Sequence, residues 1–421
     1  MRAKAERGSG SRARAAGLAE AAAPAPLVAG EDPLETSIQA LRTALNGTRA
    51  RAGDDPYANP IALLAFDLLQ RLGSGELNEQ AVEKLIQRLT REAFADRATA
   101  AQRSLGELDP GCNRETIRAL LLRQAEAADG TRASFDDFAA RMRRVYYGFV
   151  FTAHPTFSRS VELQTMLASA AFGAAAQDMP ERKRQLNELF SRAEQLVHRP
   201  PVKLDLNEEH AQSVQVIGMA RTIVRQVYEI AFDVARELYP DDWRRLRPGL
   251  LTLATWVGYD TDGRADIGWT TTFAKRLILQ LEQLRHYRSM VQACVARART
   301  ETLAASLLEL LEARLALAVK SAEDDLLVLD HSGREDSEWR KLLARTARDM
   351  VTNQGSRLTH AAQVLDILDR ALAAVEDDAT ARELCILRAE LVNQGLVGAG
   401  THVRINAIQL HNAIRKTIGM D

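Results

Sequence analysis

The sequence contains few cysteines, and their positions exclude a disulfide-stabilised protein. Cys112, Cys294 and Cys385 lie far apart among 421 residues and form no Cys-x-x-Cys pair. An odd number of cysteines without paired spacing is typical of a reducing compartment. We expect all three to be small buried side chains, because free cysteine packs like a small hydrophobic residue.

Long apolar runs and a strong net charge are also absent. A membrane-spanning helix needs about 20 apolar residues, whereas the best run, 166–176, is short and interrupted by Ser169. The basic amino terminus lacks the apolar stretch of a secretory signal. With a formal net charge of -1, the chain has no broad positive field for nucleic acid. We therefore expect a cytoplasmic protein with neither a membrane nor a nucleic-acid partner.

Aromatic residues make up only 5% of the sequence, and Ala and Leu supply most of the apolar content. This composition favours helices. Residues 1–32 have no periodic large apolar residues, so we expect a disordered tail followed by one folded region, 33–421. Within that region, helical spacing is seen at two sets of apolar residues: Val82, Leu85, Ile86, Leu89 and Ala93, and Leu308, Leu311, Leu315 and Val319. Further helical stretches cover about 209–238, 272–299, 336–375 and 380–394.

Three short segments differ from this helical background. Residues 145–152 and 250–257 are β-branched and aromatic, and 401–405 is a weaker third segment of this kind. Such runs, bounded by proline, glycine or aspartate, predict strands. Because long helical stretches separate them, we expect a predominantly helical α/β protein whose strands pair in one parallel sheet or barrel.

Candidate site residues follow each predicted strand. His154 lies in the segment Phe-Thr-Ala-His-Pro-Thr, where Pro155 holds it in extended geometry. In a barrel, the carboxyl end of a strand is where catalytic side chains gather, and histidine exchanges protons near neutral pH. A single His-Pro pair is nevertheless more often structural than catalytic.

The second and third predicted strands lead into Thr-Trp-Val-Gly-Tyr-Asp-Thr-Asp-Gly-Arg, which contains Asp260 and Asp262, and Gly-Thr-His-Val-Arg-Ile-Asn-Ala-Ile-Gln, which contains Arg404. The two aspartates and Gly263 could begin a calcium loop, but its other acidic ligands are missing. The simpler interpretation is an Asx-type turn after a strand.

In order and spacing, the three segments resemble the Thr-Ala-His-Pro-Thr-Glu, Trp-Met-Gly-Gly-Asp-Arg-Asp-Gly-Asn-Pro and Arg-Leu-Asp-Ile-Arg-Gln motifs of phosphoenolpyruvate carboxylases. The resemblance implies that His154 is catalytic, and that Asp260, Asp262 and Arg404 bind substrate. The chain departs from the motifs at several positions, which include Phe157, Tyr259, Thr261, Arg264, Ala265 and Ile408. Ile408 aligns with the substrate-binding arginine, so Arg404 or His402 would have to supply that charge.

The resemblance implies a partial (β/α) barrel of the phosphoenolpyruvate carboxylase type with long inserted helices. Residues 33–421 would be the amino-terminal half of a carboxy-lyase that joins bicarbonate to phosphoenolpyruvate, giving oxaloacetate for the tricarboxylic acid cycle and phosphate. Mg²⁺ is the implied cofactor. Its ligands belong to the family's carboxy-terminal half, whose Gly-Arg-Gly-Gly motif does not occur in this sequence.

Two hypotheses follow from this resemblance. In the first, the chain is a truncated or split carboxylase, inactive alone, that self-associates or complements a carboxy-terminal half. In the alternative, it is a catalytically dead helical scaffold or binding protein, because family charges are missing at Phe157, Thr261 and Ile408.

Overall fold

The computed structural model describes residues 33–419, apart from 53–58, 106–109, 153–159, 173–178, 197–204, 262–266, 299–301, 331–336, 353–356 and 405–406. The predicted tail, 1–32, lies outside the described residues. The chain divides into two compact units, Met1–Glu107 with Ser158–Val202, and Leu108–Phe157 with Lys203–Asp421.

The helices and strands of the described residues are, in chain order, α1 (Pro33–Ala52), α2 (Pro60–Gly73), α3 (Glu79–Leu105), α4 (Pro110–Arg123), α5 (Phe135–Met142), β1 (Val145–Phe151), α6 (Val161–Phe172), α7 (Met179–Gln195), α8 (Leu206–Leu238), a 3₁₀ turn (Trp243–Arg245), β2 (Leu250–Thr255), α9 (Trp269–Arg297), α10 (Thr302–Asp330), α11 (Ser337–Thr352), α12 (Ala362–Ala374), α13 (Asp378–Gln394), β3 (Gly400–Thr401) and α14 (Ala407–Thr417).

The first unit consists of α1, α2, α3, α6 and α7 in its described part. Asn59 is the N-cap of α2. Its side chain accepts hydrogen bonds from the backbone N–H groups of Ile61 and Ala62, and Pro60 occupies the first helical position. The apolar face predicted for α3 is only partly buried, since Leu85 is inside whereas Ile86 and Leu89 are exposed. The core of this unit is small, and it buries fewer apolar residues of α3 than the helical periodicity predicted.

The second unit contains the sheet and the larger core. The long helix α8 begins at a capping box, in which Asp205 and Glu208 satisfy each other's backbone N–H groups. One face of helix α10 packs in this core. Its predicted apolar face is confirmed as fully or almost fully buried: Leu308, Leu311, Leu315 and Val319.

The predicted stretch 336–375 is wrong as a single helix. It forms α11 and α12, and residues 357–361 between them are not helical. Arg357 turns away to make a two-pronged ion pair with Asp325, at 2.9 and 2.6 Å. Gln280 donates to the Leu358 carbonyl at 3.0 Å. These contacts satisfy local groups outside helical geometry, which periodicity alone does not reveal.

The first two predicted strands are confirmed as β1 and β2. The third is confirmed only in part, because β3 covers Gly400–Thr401 whereas the sequence predicted 401–405. The three strands form one parallel sheet in the order β1-β2-β3. The protein is therefore a predominantly helical α/β protein, as the sequence predicted. Two of the three cysteines, Cys294 and Cys385, are buried as expected. The prediction is wrong for Cys112, which is exposed because it lies in the first turn of α4, ahead of the buried residue Leu121. Among the described residues, no helix combines the length and apolar content needed to cross a bilayer.

Candidate functional site

The carboxyl ends of the three strands meet at one edge of the sheet. Phe151 at the end of β1 pairs with Thr255 at the end of β2, and Thr255 pairs with Thr401 of β3. We call this the carboxyl edge, defined by Phe151, Thr255 and Thr401. Because the strands are parallel, the segments that follow them leave the sheet on the same side, where parallel α/β proteins bind ligands.

Two of the four predicted site residues, His154 and Asp262, lie outside the described residues. The other two, Asp260 and Arg404, are brought into contact beyond the carboxyl edge. They form a parallel β-bridge, and Arg404 Nη1 donates to Asp260 Oδ2 at 2.8 Å. The two side chains form a pair with no net charge, rather than two separate substrate contacts.

Backbone contacts fix Arg404 in this position. Its carbonyl accepts hydrogen bonds from the N–H and the hydroxyl of Thr261, at 3.0 and 2.7 Å. Its own N–H donates to the Tyr259 carbonyl at 3.3 Å. The guanidinium lies 5.6 Å from the centre of the Trp256 ring, close enough for a cation–π contact. The pairing of β2 with β3 therefore continues past the strands into the candidate site.

Thr255 connects the sheet to α8 at the carboxyl edge. It is fully buried, and its hydroxyl donates to the Phe151 carbonyl at 2.9 Å while accepting from the Val257 N–H at 3.1 Å. The Ser213 hydroxyl on α8 lies 3.2 Å away. A single buried hydroxyl thus satisfies a carbonyl of β1 and an N–H of the loop after β2, and removing it would leave both groups unpaired at a cost in stability.

Gly258 allows the loop after β2 to pack closely on α9. Its φ is +89°, and a Cβ atom there would lie 2.8 Å from Cγ of Lys275 and 3.6 Å from Cδ2 of His210. Thr272 of α9 also donates to the Gly258 carbonyl, at 3.3 Å. The loop that carries Asp260 therefore lies directly on helices α8 and α9.

Beneath this loop, two ionisable side chains are almost completely buried. Lys275 donates to Asn207 Oδ1 at 2.6 Å. His210 is 2% exposed, and its Nε2 has no hydrogen-bond partner among the described residues. Burial, and secondarily the nearby Lys275 ammonium, lower the pKa of His210 to about 4. His210 is therefore a neutral imidazole at neutral pH.

His210, Lys275 and the role of Thr255 were not predicted from the sequence. A signal for the first two exists in the helical spacing. His210 lies seven residues before buried Ile217, and Lys275 lies four residues before buried Leu279, so each is an ionisable residue on an apolar helix face. Such a position indicates an unusual buried group but does not say what the group contacts.

The described residues do not fit Mg²⁺. None of them form a cluster of three or more histidine, cysteine, aspartate or glutamate side chains that could hold a metal, and the carboxylate of Asp260 is already paired with Arg404. Mg²⁺ prefers several oxygen ligands in octahedral geometry.

Comparison with known proteins identifies no family: the chain matches no protein-family model, and it has no significant match among curated proteins.

Proposed function

We propose that this chain supplies part of the active site of a phosphoenolpyruvate carboxylase, which forms oxaloacetate and phosphate from phosphoenolpyruvate and bicarbonate. One observation carries the proposal. The three motif segments follow three parallel strands that end at one edge, and Asp260 and Arg404, 144 positions apart, are in contact there. The order of the three motif segments in the resemblance is also the order of the strands that they follow, β1-β2-β3, so all three lead away from the same edge of the sheet.

The fold proposed for this function is a partial (β/α) barrel. The exposed residues of β1 support it, because Tyr147 and Phe149 are 66% and 46% exposed on one face and Val150 is 44% exposed on the other. Parallel strands are normally covered on both faces. In the proposed barrel, further strands and helices would provide that cover.

We assign His154 to proton transfer. Bicarbonate would attack the phosphoryl group of phosphoenolpyruvate, giving carboxyphosphate and the pyruvate enolate. His154 would take the proton from the carboxyl group of carboxyphosphate as its C–O bond breaks, so that CO₂ and phosphate form. The enolate carbon then attacks CO₂ to give oxaloacetate. General-base catalysis of this kind contributes about 10²–10⁴-fold to a rate.

Arg404 would stabilise the anionic reactants, and Asp260 would orient it. A fixed guanidinium is well suited to carboxylate and phosphate groups, because it presents several donors in one plane. The pair carries no net charge, so further cations would have to come from beyond the described residues, and the resemblance implies that the Mg²⁺ ligands belong to a carboxy-terminal half. Asp262, two positions beyond Asp260, is proposed as the other substrate-binding carboxylate of this loop.

The test is oxaloacetate formation from phosphoenolpyruvate and ¹⁴C-bicarbonate. It is measured for the chain alone and for the chain co-expressed with the polypeptide encoded directly downstream. We expect Mg²⁺-dependent activity in the second sample only. In that sample, His154→Asn should lower kcat by about 100-fold or more. His411→Asn, which changes an exposed histidine of α14, is the control and should keep full activity.

The competing proposal is a catalytically dead scaffold with the same fold. It is favoured by Ile408, which is 69% exposed in the first turn of α14 and offers no charge to a substrate. A folded, co-purifying assembly that forms no oxaloacetate would support the scaffold and reject the enzyme. Activity of the chain alone would instead reject the requirement for a second polypeptide.

A further inference from the structure

A cavity of about 390 Å³ lies within the second unit, and none of the three residues that define the carboxyl edge lines it. Residues of α9 and α10 and the segments 357–361 and 395–397 line it, and we call it the α9–α10 cavity. Its volume is near the lower end of the range for small-molecule sites, about 300–1,000 Å³. Much of its wall is apolar: Phe273, Leu277, Ala318, Met350, Leu358 and Val397.

One wall of the cavity carries a cation without a partner. Arg276 is half-buried, and its guanidinium forms no hydrogen bond or ion pair with any residue that the structure describes. Burial lowers the pKa of Arg276. Two other arginines of α9 are paired, Arg285 with Glu282 and Glu323, and Arg288 with Glu312. Removing an unpaired cation from water is unfavourable, and a bound anion would offset that cost.

A hydroxyl group of the cavity wall is also without a hydrogen-bond partner in the described part of the chain. The Thr359 hydroxyl is buried and belongs to the cavity wall. Buried polar groups are normally paired. Two unpaired groups in the wall of one cavity, both able to donate, indicate a missing acceptor.

The remaining charges of the cavity cancel. Asp325 is 4% exposed, and both of its oxygens accept hydrogen bonds from Arg357. This pair is a wall element without net charge, so Arg276 is the arginine of the wall whose charge no carboxylate of the wall offsets. A ligand with a single negative charge would match it.

We propose that the α9–α10 cavity binds a small organic carboxylate with an apolar substituent. The carboxylate contacts Arg276 and Thr359, and the substituent lies against Phe273, Leu277 and Met350. The cavity shares no lining residue with the carboxyl edge, so this site stands or falls independently of the proposed carboxylation.

The experiment uses 3-phenylpropionate as the probe and its neutral amide as the matched control. The chain is labelled with ¹³C at its methionine methyl groups, and Met350→Leu assigns the resonance of the cavity. We expect 3-phenylpropionate to shift the Met350 methyl resonance saturably, with no such shift from the amide. Arg276→Gln should weaken the carboxylate at least about tenfold, because it removes a charge-assisted contact. Arg285→Gln, on the same helix but outside the cavity, should leave binding unchanged.

A stability measurement separates a binding role of Arg276 from a structural one. Without ligand, Arg276→Gln should keep or raise the unfolding temperature, since it removes an unpaired charge. With ligand, it should lose the stabilisation that 3-phenylpropionate gives the unsubstituted chain. An equal shift from the amide, undiminished binding by Arg276→Gln or no saturable shift of Met350 would each overturn the proposal.

Discussion

His210 stays neutral inside the protein over a pH range in which an exposed histidine takes up a proton. Burial is the main cause, and the Lys275 ammonium adds to it, so the pKa of His210 falls from 6.5 to about 4. In the unfolded chain the imidazole recovers its ordinary pKa. Between these two pKa values the unfolded state therefore binds more protons than the folded state, and stability falls as the pH falls.

We predict that replacing His210 with glutamine removes this part of the pH dependence, because glutamine does not titrate. Between neutral pH and about pH 4, the unfolding free energy of the unsubstituted chain should fall relative to His210→Gln by on the order of 3 kcal/mol. The four tryptophans, Trp243, Trp256, Trp269 and Trp339, all lie in the second unit. Urea unfolding followed by tryptophan fluorescence therefore reports on the unit that contains His210.

Exposed His411 provides the control, since His411→Gln should leave the pH dependence of the second unit unchanged. If the stability curves of His210→Gln and the unsubstituted chain run parallel from pH 7 down to about pH 4, His210 is not buried as a neutral group.

The pairing of Asp260 with Arg404 shows how far sequence reasoning reaches at single residues. That the two would be close was predictable, because each follows a strand of the same parallel sheet. The ion pair between Asp260 and Arg404 was not predictable. It depends on the register in which residues 402–404 continue the β2–β3 pairing beyond the strands. The sequence therefore predicted where the two charged side chains lie, but it predicted two separate substrate contacts where the structure has one ion pair.

The close packing of the loop after β2 depends on Gly258, so substituting this glycine should lower the stability of the protein more than usual. An alanine would have to adopt a left-handed backbone, at a cost of roughly 1–2 kcal/mol. Its Cβ would also lie 2.8 Å from Cγ of Lys275, and overpacking adds roughly 1–3 kcal/mol. We predict a loss of stability for Gly258→Ala that exceeds the backbone cost alone.

Gly130 supplies the matched control in the same unit. Its φ is +79°, and a Cβ there would meet no atom within 4 Å, so Gly130→Ala should show the backbone cost without the clash. Both variants are compared by urea unfolding with tryptophan fluorescence. Equal losses of stability would mean that Lys275 moves aside and that the loop is not tightly packed on α9.

The strands were predictable, whereas the contacts of the helices were not. Short β-branched and aromatic segments that end at proline or at glycine and aspartate identify strands by local chemistry alone. His210 and Lys275 lie 65 positions apart on α8 and α9, and only the packing of those helices brings both beneath Gly258. The break at 357–361 likewise depends on Asp325, more than 30 positions earlier.

Strand β1 is an apolar strand at an edge of the described sheet. In the described part of the chain β1 pairs only with β2, and the rings of Tyr147 and Phe149 stack 5.8 Å apart in solvent. An exposed edge strand offers unpaired backbone groups and apolar side chains to other chains. Whether further barrel strands or another copy covers β1, the isolated chain has a reason to associate.

We predict that the isolated chain self-associates as its concentration rises, and that Tyr147→Lys reduces this association. A lysine on an edge strand opposes pairing with another strand, because its charge would have to be buried. Leu303→Lys is the matched control: Leu303 on α10 is 64% exposed, close to the 66% of Tyr147, but it lies on a helix and offers no strand edge. Light scattering coupled to size-exclusion chromatography should show a lower mass for Tyr147→Lys and an unchanged mass for Leu303→Lys. If both lysine variants lower the mass equally, the association comes from general surface hydrophobicity. If the unsubstituted chain is a monomer at all concentrations, the β1 edge does not pair in solution.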